Sequence, residues 1–292
     1  FPGNHRSGPI GSGVDRRDAW LPKAGLLWKP WRGAALRGAY TRSLSGGGFN
    51  PVLQLEPTHV AGIIQSYRSV IPESLGDTPA GSRIDVGGVA FEQRFSTGTY
   101  LGLLAEWIES DAPANAGMFL LDFNEFGDLE DLAQPGETRL DQAFRERSLT
   151  VTADQLLGDW FTLGIAWRVQ EARLNSHYPE FDGLPSLPQA GTREAVLHQV
   201  TPRLTFNHSC GAFAQFSARW LDQDNRGDDE GFEDESLWQL DAWIGYRLRR
   251  RQAEVAIGGL NLLDEDYRIN PVNTYSEPNR ERTLAVRFRL QF

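Results

Sequence analysis

Apolar and polar residues alternate along most of this chain. Between 158 and 170, apolar side chains occupy every second position from Phe161 to Val169, and the residues between them are small or polar. Alternation with a period of two is typical of a β-strand that has one apolar and one polar face. The same pattern recurs at 98–108, 194–207, 211–221, 236–248 and 283–292. We therefore predict an all-β protein.

The alternation predicts eleven strands. The clearest are ten to fourteen residues long, about twice the usual length in a globular protein. A tilted strand needs about 9–11 residues to cross a bilayer. The predicted strands lie near 24–29, 34–43, 84–95, 98–108, 145–154, 158–170, 194–207, 210–221, 236–248, 253–262 and 283–292.

The predicted connections alternate in length. Short turns lie near 30–33, 96–98, 155–158, 207–210 and 249–252, and long polar loops lie near 44–83, 109–144, 171–193, 222–235 and 264–282. Short periplasmic turns alternating with long extracellular loops are the layout of an outer-membrane barrel. The alternative is a large soluble up-and-down barrel or sandwich, but such folds seldom segregate loop length by end. Two further short strands, at 57–66 and 117–121, fall within external loops in this scheme.

These patterns predict an antiparallel transmembrane β-barrel in the outer membrane of a Gram-negative bacterium. The barrel occupies 22–292 and follows an irregular lead-in segment at 1–21. Bacterial single-chain barrels have an even number of strands. Because eleven is odd, we expect either the C-terminal part of a larger barrel or a count that is wrong by one strand.

The composition argues against several classes of function. The formal net charge of −10 argues against a nucleic-acid partner, because no basic surplus neutralises phosphates. The five histidines lack ligand spacing, and the single cysteine forms no internal disulfide and no thiolate metal site. No nucleophile–base motif or phosphate-binding loop is present. We therefore predict no enzymatic activity, no cofactor and no metal site, and an outer-membrane lipase or protease is disfavoured.

Several stretches resemble the C-terminal half of the barrel of TonB-dependent receptors. The most specific are "GGLNLLDEDYRINP" at 258–271, which is similar to the family's penultimate strand, and "ERTLAVRFRLQF" at 281–292, which is similar to its closing strand. The segments at 22–51 and 83–107 resemble earlier hairpins of that barrel. The family's N-terminal plug and its energy-coupling segment are not found in this sequence.

The resemblance implies a transport role, with ligand capture by external loops and uptake through a gated barrel. It also implies outer-membrane lipid, lipopolysaccharide and the outer-membrane assembly machinery as partners, with a plug domain or periplasmic partner supplied by other sequence. Comparable barrels occur fused to helical repeats, so the alternative is an export porin or a structural surface barrel attached to a periplasmic helical-repeat domain.

The closing strand and the strand faces predict two sets of functional residues: an assembly signal and a set of charged residues that face the lumen. An apolar strand ending in phenylalanine resembles the signal read by the assembly machinery, which here consists of Phe288, Leu290 and Phe292. The polar positions of the alternating strands are expected to face the lumen. The charged residues among them are Arg168, Arg203, Arg219, Asp241, Arg247, Arg287 and Arg289. Their mainly positive sign suits an anionic solute or the carboxylates of a plug.

An acidic segment, "DQDNRGDDEGFEDE" at 222–235, is predicted to be an external loop. Asp222, Asp224, Glu230 and Glu233 fall at positions 1, 3, 9 and 12 of a calcium-loop pattern. Arg226 occupies position 5, where a ligand oxygen is expected, and no flanking helices are evident. The alternatives are a solvated loop extended by charge repulsion and carboxylates that bind lipopolysaccharide or a surface partner through divalent ions.

Overall fold

The structure, a computed structural model, consists almost entirely of antiparallel β-sheet. It describes residues 19–44, 59–60, 63–64, 82–120, 134–181, 191–227, 235–248, 253–265 and 281–290. One sheet contains eleven strands, each paired with its neighbours in chain order. This arrangement confirms the prediction of an all-β chain with eleven strands in antiparallel succession.

The strands extend over most of the described chain. They are β1 (Lys23–Trp28), β2 (Ala34–Leu44), β3 (His59–Val60), β4 (Ile63–Ile64), β5 (Arg83–Arg94), β6 (Thr99–Leu120), β7 (Gln134–Leu157), β8 (Phe161–His177), β9 (Gly191–Asn207), β10 (Ala212–Gly227), β11 (Glu235–Arg247), β12 (Ala253–Leu260) and β13 (Thr283–Leu290). β3 and β4 pair with each other outside the large sheet. Residues 19–22 have no regular structure, and the rest of the predicted lead-in at 1–21 lies outside the described residues.

Several strands are longer than the alternation predicted. β6 has 22 residues and β7 has 24, so much of the loop predicted at 109–144 is paired strand. Residues 117–120 belong to β6, so the strand predicted at 117–121 is confirmed over these residues, but as the end of a longer strand and not as a separate strand within a loop. The loop prediction failed here because charged residues such as Glu109 and Arg145, which pair across the two strands, interrupt the apolar alternation.

The short connections all lie at one end of the sheet, which we call the short-turn end. In two of them, the amide of Gly98 donates to the carbonyl of Phe95 at 3.2 Å and that of Gly211 to His208 at 3.0 Å. Both glycines have positive φ angles, 78° and 106°. A turn followed by a left-handed glycine matches the right-handed twist of the flanking strands. The longer connections lie at the opposite, long-connection end.

Asn261 and Asp264 connect β12 to the segment that follows it. Both have positive φ angles, 49° and 62°, which asparagine and aspartate tolerate better than most residues. The Asn261 side chain donates to the carbonyl of Glu265 at 2.8 Å and accepts from its amide at 3.2 Å. Asp264 accepts from the amide of Arg282 at 2.7 Å. The "NLLD" stretch therefore fixes the chain at both sides of the last long connection.

Aromatic rings cover glycines on neighbouring strands. Gly87 pairs with Trp107 across β5 and β6, and a Cβ added at Gly87 would lie 2.0 Å from the Trp107 ring. Gly258 and Trp243 form the same arrangement between β12 and β11. A ring over a glycine restores packing that a strand otherwise lacks. These glycines are therefore needed for space.

Replacing Gly87 with alanine is expected to lower the free energy of unfolding by about 1–3 kcal/mol, because the Trp107 ring must leave its position. Urea titration followed by tryptophan fluorescence measures the change. Gly38→Ala on β2 is the control, because the nearest atom to its added Cβ is 4.0 Å away. An equal loss in both variants would show that the effect comes from glycine flexibility and not from the ring.

Candidate functional site

The strand register assigns every described residue of the large sheet to one of two faces. Val151 lies opposite Trp167 on one face, and Ile244 lies opposite Ile257 on the same face. We call this the belt face. The opposite face carries Arg168, and we call it the arginine face.

The belt face is apolar over the part of the sheet nearest the short turns. Its side chains are exposed: 47% for Ile165, 64% for Ile244 and 57% for Ile257. On the arginine face, Gln170 and Glu254 are buried. This polarity is the reverse of the pattern in a water-soluble protein. Each strand of the large sheet contributes, as shown by Leu26, Leu36, Val89, Leu103, Val151, Ile165, Leu204, Phe216, Ile244, Ile257 and Val286.

Aromatic rings lie at both borders of this apolar belt. Trp107, Trp167, Trp220 and Trp238 are on the border toward the long connections, and Trp28, Trp160, Phe206 and Tyr246 are on the border toward the short turns. Along β11, the borders are the two ends of the nine-residue stretch from Trp238 to Tyr246. A tilted strand needs about 9–11 residues to cross a bilayer, and the apolar band of a membrane barrel has aromatic girdles at its edges.

Charged residues replace apolar ones on the belt face beyond the first aromatic border. They form a row of ion pairs that we call the charged rim. The pairs are Arg42–Asp85 at 2.6 Å, Arg83–Asp111 at 2.7 Å, Arg145–Glu109 at 3.1 Å, Arg173–Glu194 at 3.0 Å and Arg226–Asp224. Apart from Asp85, which is buried, these side chains are exposed or half-buried, and exposed ion pairs add little stability. The row therefore mainly shows that this part of the face is suited to water. The rim was not predicted; its signal in the sequence is charge at alternate positions beyond the apolar ones.

The polarity of the arginine face also changes between the two ends of the sheet. Toward the long-connection end it carries a buried apolar cluster of Val86, Ile108, Phe144, Ala172, Leu174, Ala195, Leu197, Leu221 and Leu237. Behind the belt the same face is polar. Buried polar side chains also lie at the level of the apolar cluster, including Glu146, Gln170 and Gln223, so the arginine face is mixed at the level where the belt face becomes charged. A change in the character of both faces at one level is expected where strands pass from lipid to water.

All seven charged residues predicted to face the lumen lie on the arginine face. Arg203 binds Asp154 at 2.7 Å, and Arg247 and Arg287 each lie 2.9 Å from Glu254. The Asp241 carboxylate accepts a hydrogen bond from the amide of Asn261 at 2.9 Å. Aromatic rings support the arginines: the Arg247 guanidinium is 4.0 Å from the Phe213 ring centre and that of Arg287 is 5.0 Å from Trp243.

The other predicted residues divide between the sheet and the rest of the chain. Phe288 and Leu290 are exposed on the belt face of β13, 62% and 51%, and Phe292 lies outside the described residues. Asp222 and Asp224 lie in β10, where both pair with β9. The first six positions of the calcium-loop pattern are therefore extended strand, which contradicts that loop geometry. Glu230 and Glu233 lie outside the described residues.

Comparison with known proteins does not extend these observations. No protein-family model matches the chain, and no curated protein matches it at significant similarity. Within the described residues, no helix is long and apolar enough to cross a membrane. In the same residues, no group of three or more His, Cys, Asp or Glu side chains is placed to hold a metal ion. The resemblance to TonB-dependent receptors therefore stays a prediction.

Proposed function

We propose that this sheet forms the wall of an outer-membrane β-barrel that serves solute transport. The exposed apolar belt carries the proposal. Its width, its aromatic borders and the charged rim beyond it are what a bilayer requires of a β-sheet. A monomer in water seldom exposes an apolar patch larger than a few hundred Å², and this belt crosses all eleven strands of the large sheet.

The arginine face supports a transport role. Behind the belt it carries charged side chains, including Arg168, Arg203 and Arg219, and a purely structural wall has no need of them. In a closed barrel this face lines the interior, which is polar in membrane barrels. Uptake of the type used by TonB-dependent receptors is the form of transport that the sequence resemblance favours.

The two edges of the sheet constrain how such a barrel closes. Among the described residues, β1 pairs only with β2 and β13 only with β12. Because every pairing in an eleven-strand series is antiparallel, β1 and β13 run in the same direction. A closed barrel with only antiparallel pairs therefore has an odd number of further strands between them.

Reconstitution into vesicles tests the proposal. We expect the chain to migrate on gels in a heat-modifiable form and its tryptophan emission to be quenched by brominated lipids, because rings such as Trp107 and Trp238 lie at the belt borders. Vesicles that contain it are expected to leak small trapped solutes. A monodisperse monomer that stays soluble without detergent and shows no quenching would overturn the barrel. Insertion without leakage would overturn the transport role alone.

A further inference from the structure

The arginines of the arginine face differ in pairing and in exposure. Arg203, Arg247 and Arg287 lie within 2.7–2.9 Å of a carboxylate oxygen. Arg289 forms no ion pair among the described residues, but its side chain is exposed and solvated by water. Arg168 and Arg219 are half-buried, and neither has a carboxylate within ion-pair distance among the residues that the structure describes. A half-buried guanidinium without a counter-ion is costly. Ion pairing within the sheet therefore does not explain why arginine stands at these two positions.

Arg168 and Arg219 lie close together on the sheet. Arg168 on β8 is opposite Gln199 on β9, and β9 separates β8 from β10, which carries Arg219. With strands about 4.8 Å apart, the two Cα atoms are separated by roughly 12 Å. Two arginine side chains on the same face together span that separation, so both guanidinium groups can reach one ligand between them.

The strand between the two arginines is polar at this level. The Gln199 amide donates to the Thr201 hydroxyl at 3.1 Å, and both side chains lie on the arginine face. On β9 and β10, the next positions toward the long-connection end are Leu197 and Leu221 of the apolar cluster. On β8 the next position is the buried Gln170, which donates to the Glu146 carboxylate. Apolar neighbours exclude water and strengthen the attraction between guanidinium groups and an anion. The site therefore lies at the boundary between the apolar cluster and the polar wall.

We propose that Arg168 and Arg219, together with Gln199 and Thr201, bind an oxyanion that carries two or more negative charges. Planar guanidinium groups match the paired oxygens of phosphate and carboxylate groups. The inference deepens the proposed function, because it assigns multiply charged phosphates or carboxylates as the solute class. It rests on that function only for access to the site from the barrel interior.

Calorimetric titration of the detergent-folded full chain with pyrophosphate and with citrate tests the site. Saturable binding of at least one anion is expected, and the two arms separate phosphate from carboxylate recognition. The double variant Arg168→Gln/Arg219→Gln is expected to bind about 10- to 100-fold more weakly, because two charge-assisted contacts are lost. Arg168→Lys/Arg219→Lys keeps both charges and is expected to recover part of the affinity.

Arg147→Gln is the matched control. Arg147 is an exposed residue on the belt face, so its loss removes the same charge without touching the site. Absence of saturable binding, equal binding by the glutamine double variant, or an equal loss in Arg147→Gln would overturn the proposal. If the glutamine variant does not fold, unchanged affinity in the lysine variant together with unchanged binding at high salt would also overturn it. Detergent titration needs no membrane insertion, so this outcome is independent of the vesicle experiments.

Discussion

Replacing Ile165 with arginine is expected to lower the free energy of unfolding in lipid by about 2–4 kcal/mol, the cost of a basic side chain near the bilayer midplane. Ile165 lies near the middle of the belt on β8 and is 47% exposed. In a water-soluble protein, a substitution at such an exposed position changes stability by about 0.5 kcal/mol or less. The change in the free energy of unfolding of this variant therefore distinguishes a belt that faces lipid from one that faces water.

Urea titration of the protein in lipid vesicles, followed by tryptophan fluorescence, measures this loss. Gln215→Arg on the arginine face is the control. Gln215 lies opposite Thr205 and Trp243, behind the belt, and a longer polar side chain there stays in a polar environment. A change of less than about 0.5 kcal/mol in Ile165→Arg, or an equal loss in Gln215→Arg, would show that the belt does not face lipid.

The single cysteine provides a second large effect. Cys210 is exposed and lies in the turn between β9 and β10, at the short-turn end of the sheet. If the short turns face the periplasm, a membrane-impermeant maleimide does not reach Cys210 in intact cells that export the chain. Labelling is expected to rise more than about tenfold once the outer membrane is permeabilised, because the barrier is then lost.

A second labelling site fixes the orientation. Glu180 is exposed in the short turn of 3₁₀-helix at Pro179–Phe181, at the long-connection end. In a Cys210→Ser background, Glu180→Cys is expected to react in intact cells without permeabilisation. Strong labelling of Cys210 in intact cells, with Glu180→Cys protected, would invert the orientation. Equal labelling of both would contradict a membrane between the two ends of the sheet.

The sequence predicts the strands well where one face is apolar. In β8 and β11, apolar residues occupy every second position for nine residues, which is the pattern that the proposed burial of one face in lipid requires. The strand ends follow a different rule. β7 begins at Gln134, well before the predicted start near 145, because backbone pairing with β6 continues where the belt face has become charged.

The faces of the candidate site were predictable, but its pairings were not. A period of two places Arg168, Arg203 and Arg219 on one face in any antiparallel sheet. Which arginine meets a carboxylate depends on the register between strands, and Arg203 and Asp154 lie 49 positions apart in the chain. Such a contact cannot be predicted from the local sequence around either residue. The separation of paired from unpaired arginines therefore appears only when the sheet is assembled.

The length of β7 determines the electrostatic environment at the far end of its hairpin with β6. Its segment from Gln134 to Arg147 projects beyond the belt by roughly 45 Å measured along the strand. Charges in solution are screened over about 8 Å at physiological salt. If the belt lies in a bilayer as proposed, Leu120 and Gln134, the last described pair of this hairpin, lie several screening lengths beyond the lipid head groups. A ligand at that height would then experience the charges of the hairpin and almost nothing of the membrane's surface potential.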